Sequence, residues 1–348
     1  MRKQAAIFSQ AGLQSLLEFT ARVGRDPLLT QASTGNISEK IADVLWIKAS
    51  GKWMADALRG DILTPLNLTE LVEDCLRRDL DPAERYPGAS LETAMHAALP
   101  HRVVLHVHCV DTIAWAVRKD AVAQLQPRLA GLPWQWIPYT PSGLPLARAL
   151  ERARCLHPEA AIFLLANHGL VLGGGSPAEV EELLNEVRRR LAIPPRSAPP
   201  AAYARLAEIC DGSSWVLPED TGVHALGTDP VSQSILSGGL LYPCQALLSE
   251  SGAPSLFRAV PDPDSGGQWV ARYGNRPFLI LEGRGVIVNT AARPAELAMI
   301  SGLAHVVQRL GASAPLRYLT GEEIDSISGQ VAYRYRELAN ASQQGAVR

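Results

Sequence analysis

Apolar residues recur along this chain at two different spacings, and each spacing predicts a different element. Residues 103–110 and 161–166 are almost continuously apolar, and their content of aliphatic side chains is typical of buried strands. Over residues 8–24, apolar side chains return every three or four positions, which predicts an amphipathic helix. Similar patterns predict three more helices, over residues 68–80, from Ser90 onward and over 177–191.

A proline-rich stretch, residues 193–202, is the clearest break in this pattern and predicts a linker. It would divide the chain into a first domain, residues 1–192, and a C-terminal domain, residues 203–348. Each side contains an apolar run, a small-residue turn and a helix that begins with Pro-Ala-Glu. The C-terminal domain is therefore a candidate degenerate copy of the first, while chance recurrence of a common strand–turn–helix unit is the alternative.

Three histidines mark the first domain as a candidate metal site. His106 and His108 lie two positions apart in the first apolar run, so in a strand their imidazoles would point to the same face. His168 follows the second apolar run, which is predicted to end in a turn. Imidazole is a frequent ligand of zinc, and an open catalytic site needs three protein ligands. The alternative is that each histidine is a core or surface residue held by a hydrogen bond. Arg284 takes the place of His168 in the C-terminal domain, which predicts a copy free of metal.

Glu92 is a candidate proton-transfer group. It lies in the first turn of the helix predicted from Ser90, where a carboxylate interacts favourably with the helix dipole. That interaction is a sufficient structural explanation for Glu92 taken alone. Beside a metal held by three histidines, however, the same carboxylate could move protons to and from a substrate.

Two loops rich in small and hydroxylic residues, 33–38 and 48–52, flank the short apolar stretch 44–47. Such loops present backbone N–H groups and hydroxyls, which bind anions such as phosphate. Ordinary turn chemistry explains the same composition. The pattern by itself leaves both interpretations open.

Composition narrows the class of protein. The chain has 348 residues, with 47% hydrophobic and 20% charged residues, which describes a globular protein with a substantial core. A formal net charge of −2 gives no argument for binding nucleic acid or anionic membranes. No apolar run reaches the roughly 18 residues of a membrane helix, and the short run near the start is too short for a signal peptide. Five scattered cysteines without a C-x-x-C motif favour a reduced, cytoplasmic protein.

Several short segments, taken together in their order along the chain, resemble the class II aldolase/adducin family. The matching segments are Thr34-Gly35-Asn36-Ile37-Ser38, Ile47-Lys48-Ala49-Ser50-Gly51, Ser90-Leu91-Glu92-Thr93 with His96, His106-Val107-His108 and Asn167-His168-Gly169. They span about residues 8–192. Within the family, the chain is most similar to the aldolase domain of the long rhamnulose-1-phosphate aldolase type. The second part of such proteins is a dehydrogenase, whereas no G-x-G-x-x-G follows a predicted strand here.

The resemblance implies a fold and a set of site residues. The fold would be of the α/β class, with a central, mostly antiparallel sheet between layers of helices. The resemblance also implies that His106, His108 and His168 bind Zn²⁺ or another divalent transition metal, and that Glu92 is the catalytic acid and base. The residues that would surround a substrate phosphate are Gly35, Asn36, Ser50, Gly51 and Ser90.

The activity that the resemblance implies is that of a zinc-dependent aldolase, a carbon–carbon lyase of carbohydrate metabolism. It would cleave or form a ketose or ketose phosphate through a metal-stabilised enediolate. The alternatives are a decarboxylase, dehydratase or 4-epimerase of a sugar phosphate, and a non-catalytic adducin-like binding module. The family commonly forms ring tetramers, so a homo-oligomer is expected. Leu91 stands where fuculose-phosphate aldolases carry a second serine, so a phosphate donor is lost or the anion differs.

Overall fold

A computed structural model describes most of the chain. The described residues are 2–248, 254–260, 273, 276–327 and 337–338. The strands, in chain order, are β1 (Asn36–Ile41), β2 (Val44–Lys48), β3 (Leu63–Asn67), β4 (Val103–Val107), β5 (Trp134–Ile137), β6 (Ile162–Leu165), β7 (Gly169–Gly174), β8 (Trp215–Val216), β9 (Phe278–Leu281) and β10 (Gly285–Asn289).

The described helices follow the same chain order. They are α1 (Arg2–Arg25), α2 (Leu68–Val72), α3 (Pro82–Arg85), α4 (Thr93–Ala98), α5 (Val110–Ala116), α6 (Ala121–Arg128), α7 (Leu144–Leu156), α8 (Pro177–Leu191), α9 (Tyr203–Cys210), α10 (Ala225–Thr228), α11 (Pro230–Ser237), α12 (Pro243–Leu248), α13 (Pro294–Gln308) and α14 (Gly321–Ile327). Short 3₁₀ turns lie at Met54–Asp56, Thr221–His224 and Pro254–Phe257, and a π turn spans Glu73–Arg77. Over the described part of the chain, none of these helices is long and apolar enough to cross a membrane.

A seven-stranded sheet forms the centre of the N-terminal half, which we define as residues 1–192. Its strand order is β3-β2-β1-β4-β7-β6-β5, and neighbouring strands are antiparallel except for β5 and β6. In β4, Val103, Leu105 and Val107 pack with α1 and α8 on one face, and Val104 packs with α4 and α7 on the other. Alternate side chains of a strand point to opposite faces, so an apolar run such as β4 suits the middle of the sheet. The predicted fold class is confirmed.

The segment before the histidine strand differs from its prediction. The helix that we expected from Ser90 begins at Thr93, and Glu92 occupies its cap position instead of its first turn. The Thr93 hydroxyl accepts a hydrogen bond from the Ser90 N–H at 2.9 Å. The Thr93 N–H in turn donates to the Ser90 carbonyl at 3.1 Å, so residues 90–93 form a turn that leads into the helix.

Two other predicted helices have different outcomes. The one expected over residues 68–80 is interrupted, because α2 ends at Val72 and the wider π turn follows. The one expected over residues 177–191 is confirmed as α8. There the Ser176 side chain accepts a hydrogen bond from the Glu179 N–H at 3.2 Å, so the predicted cap is formed.

The C-terminal half, residues 203–348, contains a smaller sheet of the order β8-β10-β9 within its described residues. Its neighbouring strands are antiparallel. The series β4-β7-β6 in the larger sheet has the same chain order and the same antiparallel pairing. This correspondence supports the proposal that the C-terminal half is a degenerate copy, and the domain boundaries remain a prediction.

The two halves pack tightly against each other. Residues 193–202 form no helix or strand, yet the Arg196 guanidinium binds the Asp229 carboxylate and the Val307 carbonyl. Helix α5 shares one apolar core with α13. At the edge of that core, Arg309 Nε lies 2.8 Å from the Asp111 carboxylate, and both side chains are largely buried. The C-terminal half is therefore held in a fixed position beside β4 and α5.

Candidate metal centre

Four side chains that the sequence singled out converge at one point. They are Glu92, His106, His108 and His168, and their ligand atoms all lie within 4.8 Å of one another. The three histidines are buried, whereas the Glu92 side chain retains 17% of its exposure. The structure therefore brings together all of the predicted ligands and the predicted proton-transfer group.

The central strands place the histidines. His106 lies in β4, opposite Asn36 of β1 and Val171 of β7. His108 follows β4 directly. His168 lies in the tight turn between β6 and β7, and β7 is the strand next to β4. Neighbouring strands are about 5 Å apart, so the turn brings His168 beside the other two imidazoles.

Gly169 makes this close approach possible. A Cβ atom at this position would lie 2.6 Å from the Val107 carbonyl oxygen and 3.4 Å from ring atoms of both His106 and His108. A contact of 2.6 Å to backbone could not be relieved by moving a side chain. The small residue that follows His168 is thus a steric requirement of the three-histidine arrangement.

The ring nitrogens are arranged as a metal would require. His106 Nδ1 lies 3.1 Å from the Leu170 carbonyl oxygen. Because a carbonyl only accepts, Nδ1 carries the proton, and Nε2 of the neutral ring presents a lone pair. This Nε2 lies 3.2 Å from Nε2 of His108 and 3.4 Å from the Glu92 carboxylate. The same carboxylate oxygen lies 3.4 Å from Nε2 of His168. Three ε-nitrogens and a carboxylate around one point fit a divalent transition metal.

Burial favours the protonation states that bind metal. It lowers the pKa of His108 well below the ordinary value, and the neighbouring His106 and His168 lower it further. Burial also lowers the pKa of His168, although a hydrogen bond to Glu92 opposes this shift. Burial alone would raise the pKa of Glu92, but His106 and His168 outweigh it and hold that pKa well below its ordinary value. These shifts favour neutral imidazoles at His108 and His168 and a negative carboxylate at Glu92.

Two of the predicted anion-binding residues adjoin the metal ligands directly. The Asn36 side-chain amide donates to Glu92 Oε2, and its buried Oδ1 has no hydrogen-bond partner among the described residues. Gly35 has φ +74°, and a Cβ there would lie 2.7 Å from the His106 carbonyl oxygen. Both residues therefore fix the position of β1 against β4, next to the ligands.

The other three predicted anion-binding residues lie in two neighbouring loops. The Ser50 N–H donates to the Gly88 carbonyl at 2.9 Å, which joins the loop of residues 50–51 to the loop of Ser90. The Ser90 hydroxyl is buried and has no partner in the part of the chain that is described. Gly51 has φ +75°, and a Cβ there would lie 2.6 Å from Leu338 Cβ. Their roles toward an anion remain a prediction.

Lys48 is a site residue that the sequence reasoning did not single out. It ends β2 and is only 2% exposed. Its ammonium group donates to the carbonyls of Ser33 at 3.0 Å and Lys52 at 2.8 Å. Burial lowers its pKa to about 8, an effect that the charge of Glu92 partly offsets. Lys48 thus connects the two loops that were predicted to bind an anion, and its position at the end of an apolar run gave no signal of its burial.

Cys244 is a second residue that the sequence reasoning missed. Its Sγ lies 3.1 Å from Nδ1 of His108, the ring nitrogen that faces away from the other imidazoles. The residue belongs to α12 of the C-terminal half and is buried. No local motif around Cys244 indicates this contact.

The structure thus combines a mixed α/β fold with a cluster of three histidines and a glutamate that could hold a metal ion. Residues 14–193 match the family model described as the Class II Aldolase and Adducin N-terminal domain. The match covers just over half of the chain, and the chain belongs to this family.

Individual proteins resemble this chain only at low sequence identity. An uncharacterized oxidoreductase of Bacillus subtilis, YuxG, is 26% identical over 185 residues, which are 47% of this chain and 26% of that protein. The chain thus spans about a quarter of the length of this curated relative. Among solved structures, the N-terminal class II aldolase domain of a Thermoplasma acidophilum protein is 23% identical, with a TM-score of 0.42, over 50% of this chain and 89% of that chain. L-fuculose-1-phosphate aldolase of Thermus thermophilus is 20% identical, with a TM-score of 0.32, over 50% of this chain and 96% of that chain.

Proposed function

We propose that this protein is a zinc-dependent lyase of the aldolase type, which cleaves or forms a carbon–carbon bond in a ketose or ketose phosphate. The observation that carries the proposal is the convergence of three buried histidines and Glu92 within 4.8 Å. A non-catalytic member of the family would have no need of such a set. A cytoplasmic location and a homo-oligomeric state are proposals of the same kind, the first drawn from the cysteine usage and the second from the family.

In this proposal, His106, His108 and His168 hold the metal through their ε-nitrogens. When bound, the metal supplies Lewis-acid stabilisation of the negative charge that develops on the ketose oxygens as the bond breaks. The hydrogen bond from His106 Nδ1 to the Leu170 carbonyl fixes the ring orientation and the tautomer. Burial favours the neutral, metal-binding form of His108 and His168, and the low polarity of a buried site strengthens its electrostatic interactions.

Glu92 transfers the proton in the proposed reaction. It would return a proton to the ketone fragment in cleavage, or remove that proton in synthesis. Asn36 holds one carboxylate oxygen by donating to Oε2, while Oε1 points at the metal ligands. The carboxylate is therefore oriented before substrate binds, which is the requirement for general acid–base catalysis.

A substrate anion would bind beside the metal. Ser90 supports this step, because its buried hydroxyl has no partner among the described residues and lies two positions from Glu92. Asn36 and Gly35, together with the loop of Ser50 and Gly51, would supply further donors. Leu91 offers none, so we expect fewer contacts to a phosphate than two serines would give.

Elemental analysis of the purified protein tests the proposal first. We expect about one zinc or similar ion per chain in protein prepared without chelators. Product analysis with candidate ketose phosphates then tests the reaction, and we expect a ketone and an aldehyde fragment. Absence of metal, with none taken up on addition, contradicts the metal site. Bound metal with release of carbon dioxide or water, or with epimerisation, supports the site and contradicts the aldolase reaction.

Replacement of the proton-transfer group tests the mechanism. Glu92→Gln keeps the size and one oxygen of the side chain but removes the basic carboxylate. We expect the metal content to stay near that of the wild type and kcat to fall about 10²- to 10⁴-fold. Glu70→Gln, which changes an exposed carboxylate, is the control and should leave kcat unchanged. Full activity in Glu92→Gln would assign the proton transfer to another group.

A further inference from the structure

The C-terminal half contacts the metal ligands from outside the site. We propose that it supplies the outer shell that positions two of the three histidines. Cys244 holds His108 directly, while Leu241 and Arg317 hold His168 through Asn167. This inference rests on the proposed metal site, and it gives residues of the C-terminal half a role as positioning residues.

The first contact fixes His108. A neutral imidazole that binds metal through Nε2 carries its proton on Nδ1. In His108 this Nδ1 faces Cys244 Sγ at 3.1 Å, so the N–H donates to sulfur, which is a weak acceptor. A metal-binding histidine almost always donates its second ring N–H to an acceptor, commonly a carboxylate, a backbone carbonyl or water, and this bond fixes the tautomer and the ring orientation. The Cys244 sulfur takes this place for His108. His106 obtains its acceptor from its own half of the chain, and His108 obtains it from the other half.

The second contact fixes the turn that carries His168. Asn167 precedes this histidine and has φ +52°, a left-handed conformation that non-glycine residues rarely adopt. Its amide nitrogen donates to the carbonyls of Leu241 at 2.7 Å and Arg317 at 2.8 Å. Its amide oxygen accepts from the Arg317 guanidinium at 3.0 Å. The C-terminal half therefore engages both ends of this buried amide.

Both contacts come from well-anchored segments. The Leu241 N–H donates to the Gln245 side chain at 2.5 Å, which closes a turn around Cys244. The Arg317 guanidinium stacks over the Tyr139 ring at 4.9 Å and binds the Glu323 carboxylate. Outer-shell groups are effective only when they are themselves held. The bond to Gln245 holds the segment of Leu241 and Cys244, and Tyr139 and Glu323 hold Arg317.

Metal affinity, measured with Co²⁺ in competition with a chelator, tests the inference on the full-length protein. Cys244→Ala removes the acceptor, and we expect affinity to fall about 10- to 100-fold with a changed visible spectrum of the bound Co²⁺. Cys244→Ser restores an acceptor, so it should recover most of the affinity. Cys109→Ala is the matched control, because Cys109 is also buried and adjoins His108, but it packs in the core with Val107. That variant should bind Co²⁺ like the wild type.

A second variant covers the other contact. Arg317→Met removes the guanidinium from Asn167 and keeps the backbone carbonyl, so we expect about a tenfold loss of affinity. Unfolding midpoints of the metal-free proteins show which variants fold. If Cys244→Ala does not fold, the Co²⁺ affinity of Arg317→Met tests the inference by itself. Wild-type affinity in the folded variants overturns the inference while leaving the metal site intact. Failure of the wild type itself to bind Co²⁺ contradicts the proposed function instead.

Discussion

The two hairpins β6–β7 and β9–β10 share their strand pairing and a turn-closing hydrogen bond, and they differ in chemistry. In each, the residues at the two ends of the turn pair across the strands, Leu165 with Gly169 and Leu281 with Gly285. The N–H of His168 donates to the Leu165 carbonyl at 3.1 Å, and the N–H of Arg284 donates to the Leu281 carbonyl at 3.0 Å. The two turns thus share their strand pairing and their closing hydrogen bond, although Gly285 has φ +135° and the φ of Gly169 is not positive.

The residues within the turns are different. The left-handed position is Asn167 in the first hairpin, with φ +52°, and Gly283 in the second, with φ +66°. Glycine adopts this conformation without strain, and asparagine tolerates it at some cost. The asparagine amide binds the C-terminal half, and the next residue is His168, a proposed metal ligand. In the second hairpin, Arg284 stands at the matching position. A turn conformation therefore does not define a metal site, whereas the side chains that it presents do.

A histidine also lies beside the second hairpin. A Cβ atom on Gly285 would lie 2.7 Å from His224 Nδ1, much as Gly169 approaches His106. His224 uses this nitrogen to accept the Val286 N–H at 3.1 Å. A single imidazole that is engaged by the backbone does not make a metal site, and this contact shows how the proposed copy could retain its packing without its ligands.

Paired substitutions in the two turns should give the largest contrast. His168→Ala removes one of three imidazoles. Structural zinc sites bind with roughly 10–16 kcal/mol through four ligands, so we expect affinity to fall by roughly several hundredfold. Arg284→Ala, at the matching position, should leave metal binding unchanged. Metal affinity is measured by competition with a chelator. An equal loss of affinity in both variants would mean that the loss comes from a destabilised fold and not from removal of a metal ligand.

The clustering of the three histidines could be predicted because their signals are local. His106 and His108 stand together in one apolar run, and His168 follows another, so strand periodicity and the order of the motifs were sufficient. The family resemblance then supplied the sheet that joins these runs. Glu92 was predicted to join them, although its helix begins at Thr93 and not at Ser90, because a turn that residue spacing does not reveal precedes the helix.

The outer shell could not be predicted, because its signals are not local. Cys244 is 136 positions from His108 in the chain, and Leu241 acts through a backbone carbonyl that every residue possesses. The burial of Lys48 was also hidden, because a lysine at the end of a strand is usually exposed. Such contacts depend on how the two halves pack, which neither periodicity nor motif order encodes.

The next contrast between the halves is a buried lysine, Lys48, which has no counterpart in the C-terminal half. The sequence contains no lysine from residue 203 to 348, whereas Lys48 is buried in the N-terminal half with its pKa lowered to about 8 from 10.5. Near pH 7, this lysine is charged in both the folded and the unfolded protein, and burial makes its charge unfavourable in the fold. As pH rises above 8, the folded protein loses this proton before the unfolded protein does. The destabilisation therefore disappears toward pH 10.5.

We expect the wild type to gain about 2 kcal/mol of unfolding free energy relative to Lys48→Met between about pH 7 and pH 10. Urea unfolding of both proteins at several pH values measures this difference. Lys52→Met removes an exposed lysine from the same loop and should follow the pH dependence of the wild type. A constant difference between wild type and Lys48→Met would show that Lys48 keeps its proton when buried.

The smallest effect tests whether the second turn is equivalent to the first. A Cβ atom on Gly283 would contact nothing within 4 Å, so only its left-handed backbone opposes substitution. Gly283→Ala should therefore cost about 1 kcal/mol of unfolding free energy. Gly283→Asn should cost clearly less, because asparagine tolerates this conformation and already occupies it at Asn167. Urea unfolding of the two variants distinguishes them. If Gly283→Asn were as destabilised as Gly283→Ala, asparagine would have no intrinsic advantage in this turn. The left-handed conformation of Asn167 would then depend on its hydrogen bonds to Leu241 and Arg317.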